Sequence, residues 1–337
     1  MKKIFFLTAA AAMLFAACQK TEVVYTDGPQ EIAMFAVNNV ATKAPVANAI
    51  FPTGDKMEVA AYSLTEEAGY FSQTTFSKNG NYWTGGKYWP VTAATLNFLA
   101  VSEPASESNL TIEFNDTDYA SGATVVLADN STKQYDLMYA AGQGSRVDAA
   151  PEKVDMVFKH ALSWINFKVK DAENTGKIRV KSIVLNDCFY TGSLVLDNTN
   201  FDKTTSTSDD VSVDWTRTGT EKNVTVKEET VLCTSTAVEY GTGLLVVPGT
   251  ATTAGFTVVY TIDNGADITY TTAFAAPVDP GWEEGKKYTY VIGFGALNEI
   301  AIAPTVDLYV TVNDIKVDGD PSTDGDETDD DITVNVQ

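Results

Sequence analysis

The chain has 337 residues, with 45 acidic against 23 basic side chains, a formal net charge of −22 and one histidine. That balance disfavours nucleic acid and anionic membrane surfaces as partners, and a lone histidine excludes every multi-histidine metal site. The length allows two domains of ordinary size, each able to bury its own core.

At the N-terminus, Lys2 and Lys3 precede an apolar stretch, residues 4–15, followed by the small residues Ala16 and Ala17. This is the layout of an export signal, too short for the roughly 20 apolar residues of a membrane span. Leu14-Phe15-Ala16-Ala17-Cys18 resembles a bacterial lipobox, with Cys18 as the acylated residue. Phe15 is bulkier than the aliphatic residue usual at its place. The plain alternative is a cleaved signal with an incidental cysteine.

Beyond the signal no long stretch has helical spacing, and the chain reads as β throughout. The run "IAMFAV", residues 32–37, has no polar break and asks for burial on both faces. "VATKAPV" follows, where Pro45 discourages regular structure and Lys43 offers a trypsin-like cut before Ala44; a solvated turn lysine is the alternative. Short runs then recur between Gly, Asn, Asp and Pro: "KMEVAAYSL", "ATLNFLAVS", "ATVVLAD", "MVFKHALSWINFKVK", "IRVKSIVLND", "GSLVLD", "GLLVVPG", "GFTVVYTID", "ITYTTAF" and "KYTYVIGFG". Many short strands at this spacing predict sandwiches or barrels. A domain boundary is expected in the polar turn "VKDAENTGKI", residues 169–178, and a surface loop inside the second domain at residues 198–210.

Candidate chemistry is sparse. In "NYWTGGKYWP", Tyr82-Trp83 and Tyr88-Trp89 flank Gly85-Gly86, a spacing that predicts a hairpin with the aromatic pairs opposed. Exposed, Trp83 and Trp89 would make a sugar-stacking platform; buried, they fill a core. His160 is expected on one strand face with Phe158, Leu162 and Trp164, as a packing residue making one hydrogen bond. Cys188 and Cys233 lie in strand-like runs and are expected as buried thiols, a disulfide being the alternative in an exported chain. No nucleophile elbow, phosphate loop, CxxC pair or HExxH motif occurs. No catalytic residue and no cofactor are assigned.

The ordered set of lipobox, "EIAMFAV", "ATKAP", "GDKMEVAAY", "NYWTGGKYWP", "LNFLAVSEP", "YDLMYA", "MVFKHALSWINFKV", "VKSIVL" with "GSL", and "GWEEGKKYTYVIGF" with "EIAIAPTV" resembles the Mfa-like fimbrillins. These are pilins of type V fimbriae in Gram-negative anaerobes, and the resemblance spans nearly the whole chain. It implies an all-β fold of two transthyretin-like β-sandwich domains with a C-terminal donor-strand extension. It also implies export to the outer membrane as a lipoprotein, proteolytic loss of the N-terminal segment with its first strand, and filling of the vacated groove by a neighbour's C-terminal strand. The expected organisation is a signal peptide at 1–17, a pro-segment at 18–43, sandwiches at 44–170 and 171–303, and the extension at 304–337. Partners implied are other copies of the chain or related pilins and a host or bacterial surface receptor, at a cell-surface fimbrium. The family's processing protease prefers arginine, and none occurs before Arg146, so Lys43 departs from the pattern.

The C-terminal residues suit such an exchange. "TVDLYVTVNDIKV" puts Val306, Leu308, Val310 and Val312 on one face, the acidic span 318–331 follows, and "ITVNVQ" closes the chain with Ile332, Val334 and Val336 alternating with polar residues. Main-chain hydrogen bonds and alternate side chains are what strand addition uses. Asp320, Ser322, Asp324, Asp326 and Asp331 echo a calcium loop with Gly325 in its sixth place, but Glu327 replaces the usual apolar residue. Carboxylate repulsion that keeps a tether extended accounts for the same composition, and no metal is assigned. The rival reading of the whole chain is a surface lipoprotein that captures glycans, with Trp83 or Trp89 exposed.

Overall fold

A computed structural model describes residues 29–38, 56–80, 82–91, 94–103, 110–115, 122–146, 153–197, 207–249, 253–274, 281–295 and 300–308. Cys18, Lys43, Ala44, the calcium-like Asp320, Ser322, Asp324, Asp326 and Asp331, and the terminal Ile332, Val334 and Val336 all lie outside those residues. Apart from one 3-10 turn at Ser208–Asp210, the described elements are strands. The all-β expectation rests on two-residue alternation, and side chains on a pleated strand alternate faces in just that period.

The first strands are β1 (Glu31–Asn38), β2 (Lys56–Ser63), β3 (Ala68–Asn79), β4 (Tyr82–Tyr88), β5 (Thr95–Glu103), β6 (Leu110–Phe114), β7 (Ala123–Leu127), β8 (Met138–Ser145) and β9 (Lys153–His160). Seven of them close into a ring in the order β1-β4-β3-β2-β5-β8-β9, completed by parallel pairing of β9 with β1. Met57, Phe76, Phe98, Met138, Met156 and Phe158 fill its interior.

The next strands are β10 (Ser163–Asp171), β11 (Ile178–Cys188), β12 (Gly192–Asp197), β13 (Ser212–Arg217) and β14 (Lys222–Leu232). A sheet in the order β13-β12-β7-β6 covers the outside of the ring. Between them lies a second core that includes Leu99, Val101, Tyr139, Leu194 and Leu196. This explains the unbroken run "LNFLAVS": on β5, Phe98 and Ala100 face the ring interior while Leu99 and Val101 face the covering sheet. Even Asn97 is buried, its Oδ1 accepting from Gln143 Nε2 at 2.8 Å.

The remaining strands are β15 (Val238–Glu239), β16 (Leu244–Val246), β17 (Gly255–Ile262), β18 (Ile268–Ala273), β19 (Lys286–Phe294) and β20 (Ile300–Leu308). The sheet β15-β10-β19-β20, with β16 also on β10, and the sheet β14-β11-β17-β18 form a sandwich around Phe167, Ile183, Phe256, Tyr260 and Ile292. Each such side chain contributes about 1.5–3 kcal/mol by leaving water.

Three sequence expectations are corrected by these pairings. The boundary at 170/171 is displaced, because β10 belongs to the second sandwich and β12 and β13 return to the first unit's covering sheet. The turn at 169–178 is a corner between the sandwich's own two sheets: Asp171 Oδ2 accepts from Thr175 Oγ1 at 2.7 Å and Gly176 N–H at 3.0 Å. The chain instead crosses at Ala161-Leu162, where Ala161 N–H donates to Leu137 O at 2.8 Å and Gly285 N–H to Leu162 O at 3.0 Å. That break also separates His160 from Leu162 and Trp164, which the sequence placed on one strand.

Second, the predicted Tyr82/Trp89 hairpin is a single strand. The turn lies at Gly80, with φ +64°, a backbone conformation that favours glycine. Gly85 lies mid-strand, and that position takes a glycine because a Cβ there would lie 2.6 Å from the Phe76 ring. Third, residues 304–308, expected in the C-terminal extension, belong to β20, which pairs with β19 through Leu308.

Candidate functional site

β1 is the strand that closes the ring, and its sequence fits the position. Ile32 and Met34 point inward and are fully buried, while Ala33 and Phe35 on the outer face are half-buried. The expected burial of both faces therefore holds for the inward set alone. One edge of β1 runs antiparallel to β4, with Ala33 opposite Thr84 and Met34 opposite Trp83 and a register shift after Glu31. The other runs parallel to β9, from Ala33 opposite Lys153 to Asn38 opposite Phe158. At its start, Gln30 O accepts from Trp89 N–H at 2.8 Å and Glu31 Oε1 from Gly86 N–H at 3.1 Å.

Two consequences follow from this geometry. Removing β1 would leave two open strand edges, on β4 and β9, with unpaired backbone donors and acceptors. It would also empty the inner positions of Ile32 and Met34, an apolar slot lined by Trp83 and Met156 among others. Such a slot suits a strand with an apolar residue at every second position. Among the described elements the covalent connection from β1 to the next strand runs through residues 39–55, the segment that contains Lys43 and Ala44.

The other candidate residues take structural places. Trp83 is 6% exposed and Trp89 3%, both in the ring core, and Trp89 packs edge-on against Phe98 at 5.8 Å. Neither indole offers a face to a sugar: Trp83 turns inward from β4, and Trp89, just past the end of that strand, packs into the same core. His160 is buried, with Nδ1 3.0 Å from the Asp136 carboxylate. Cys188 and Cys233 are free and buried. Burial pushes the Cys188 thiol far above its ordinary range and the Cys233 thiol up to about 12. Neither is poised for nucleophilic chemistry at neutral pH. Among the described residues, no cluster of three or more His, Cys, Asp or Glu side chains could hold a metal ion.

A family model described as fimbrillin-like matches residues 42–308. The chain belongs to the fimbrillin-like family. Its β-sandwich fold recurs in solved structures of low sequence identity. A fimbrial protein from Bacteroides vulgatus superposes with a TM-score of 0.55 at 14% identity, covering 83% of this chain and 100% of that one. A candidate cell adhesion protein from Bacteroides uniformis gives 0.51 at 18% identity, covering 83% and 99%. A further candidate cell adhesion protein, from Bacteroides ovatus, gives 0.53 at 12% identity, covering 84% and 99%. No curated protein matches the chain. The family match ends where β20 ends, so fimbrillin-like sequence and the last described strand stop together at residue 308. Membership implies a structural role in fimbriae at the cell surface.

Proposed function

We propose that this fimbrillin-like protein is a pilin that polymerises by β-strand exchange and supports adhesion, with no catalytic step of its own. After export as a lipoprotein acylated at Cys18, a cut between Lys43 and Ala44 frees β1, and the C-terminal segment of a neighbouring subunit fills the seam. One observation carries the reading: the strand that closes the ring between β4 and β9 is tethered to the other described strands through residues 39–55 alone. A single cut there leaves the closing strand held by pairing and packing alone, while every other described strand keeps its chain connections. The spacing of the incoming segment supports the same reading. Ile332, Val334 and Val336 recur at every second residue, as Ile32, Met34 and the partly buried Ala36 do in β1. The acidic span before them spaces that strand from its own sandwich at up to about 3.3 Å per residue.

The test is truncation after Leu308, which leaves β20 whole. Chains cut after Lys43 are expected to polymerise, and cut chains lacking 309–337 to remain folded monomers. Fibres of normal length from the truncated protein would refute the donor assignment. The rival reading, glycan capture, has lost its two named contacts to the core, and no observation favours it.

A further inference from the structure

The outer side of β1 carries a side-chain cluster that the inward apolar fit does not explain. Phe35 stands edge-on to the Tyr82 ring, with centroids 4.6 Å apart and planes at 70°. The Lys153 ammonium lies 5.0 Å from the Phe35 ring centre and 4.0 Å from that of Tyr82, and it donates to the Tyr82 hydroxyl. Tyr82 belongs to β4 and Lys153 to β9, the two strands that β1 separates. The three side chains therefore meet across the back of the closing strand. This accounts for an aromatic residue at an outward position of "IAMFAV", where alternation alone would allow any polar residue.

We infer that Tyr82 and Lys153 are strand-selecting residues: they recognise an aromatic side chain at the outward position after the second inward residue of whatever strand occupies the seam. Ring edges carry partial positive charge and ring faces partial negative charge, so the T-shaped pairing with Tyr82 and the Lys153 ammonium over the Phe35 ring favour an aromatic side chain at that place. The incoming segment lacks that group. With Ile332 in the place of Ile32, Asn335 falls in the place of Phe35, and an amide gives the ammonium no ring. The clasp thus holds the chain's own strand more firmly than its replacement and makes departure of β1 the slow step of assembly. This consequence rests on the strand-exchange reading above; the recognition of an aromatic side chain by Tyr82 and Lys153 does not.

The experiment uses the full chain with a specific protease site placed between residues 42 and 47, cut in the folded state. Release of the cut N-terminal segment is followed by displacement with an excess of labelled peptide copying residues 29–38. Phe35→Asn is expected to speed release about tenfold. Lys153→Ala is expected to speed it as well, and the double variant to release no faster than Phe35→Asn alone, because the two groups act on each other. In the uncut chain, amide exchange along β1 is expected to rise by a similar factor in Phe35→Asn, a readout that needs no cleavage. Release within twofold of wild type, or single effects that multiply in the double variant, would overturn the selection role. If the wild-type segment leaves and no polymer ever forms, the strand-exchange reading falls while the clasp stands. Polymerisation at equal rates in wild type and Phe35→Asn would overturn the clasp's control of assembly alone.

Discussion

Met34→Ala tests whether the closing strand opens as a unit. Met34 is fully buried on the inward face of β1, opposite Trp83. Truncating a buried methionine costs about 2–5 kcal/mol as lost transfer energy plus a cavity. A seam strand bounded by Trp83 and other large side chains relaxes little, but methionine itself is adaptable, so about 2–3 kcal/mol is the working figure. If β1 opens separately from the rest, that cost falls on the local opening equilibrium and raises it roughly 30- to 150-fold, at about 1.4 kcal/mol per decade. Native-state hydrogen exchange on the uncut chain measures it at the β1 amides, with β11 and β17 amides as the internal reference. Acceleration confined to β1 and its edges on β4 and β9 is the expected result. Exchange on β1 unchanged within threefold, or an equal rise in β11, would refute the idea that β1 is a separable closing element.

The cysteines and one carboxylate supply two more expectations. In a Cys18→Ser chain, Cys188 and Cys233 should resist alkylation at pH 8 and both react once the protein is unfolded, since burial pushes the Cys233 thiol up to about 12 and Cys188 further. Mass spectrometry before and after denaturant reads this; rapid native labelling would contradict the packing. Burial raises the Asp171 carboxyl, but hydrogen bonds from Thr175 and Gly176 outweigh it and hold the group below the ordinary carboxylate range. A folded-state pKa below the unfolded value of about 3.9 means stability present above that pH and lost as pH falls through the folded value. Asp171→Asn is therefore expected to cost about 1 kcal/mol at neutral pH and to flatten the acid limb of the stability curve below about pH 4. Urea midpoints at pH 3, 4 and 7 check both parts; an unchanged acid limb would contradict them.

Part of the site was legible before any pairing was known. "IAMFAV" stood out as a strand without a polar break, and Ile32 and Met34 do point into a core. The residues Tyr82 and Lys153, by contrast, lie 71 positions apart and met only when β4 and β9 took the two sides of β1. The aromatic signal in "NYWTGGKYWP" is real, but its geometry is not local: Gly85 and Gly86 look like a turn when the ring of Phe76 above Gly85 is out of view. β14 is hard to read locally for the opposite reason: it is largely exposed, and in "KNVTVKEETVL" the apolar alternation of Val224 and Val226 gives way to Lys-Glu-Glu-Thr.

The fold class followed from the sequence, since the period of two along a strand is a local property that each short run displays on its own. Local runs also marked most of the buried strands, whereas the two-faced burial of β5 emerged only with the covering sheet in place. Which strand lies beside which was decided by tertiary structure alone. Parallel pairing of β1 with β9, the return of β12 to β7 with β13 on its outer edge, and the crossing at Ala161-Leu162 join segments far apart in the chain. Such contacts depend on how whole apolar faces fill a shared interior, and no window of neighbouring residues records that.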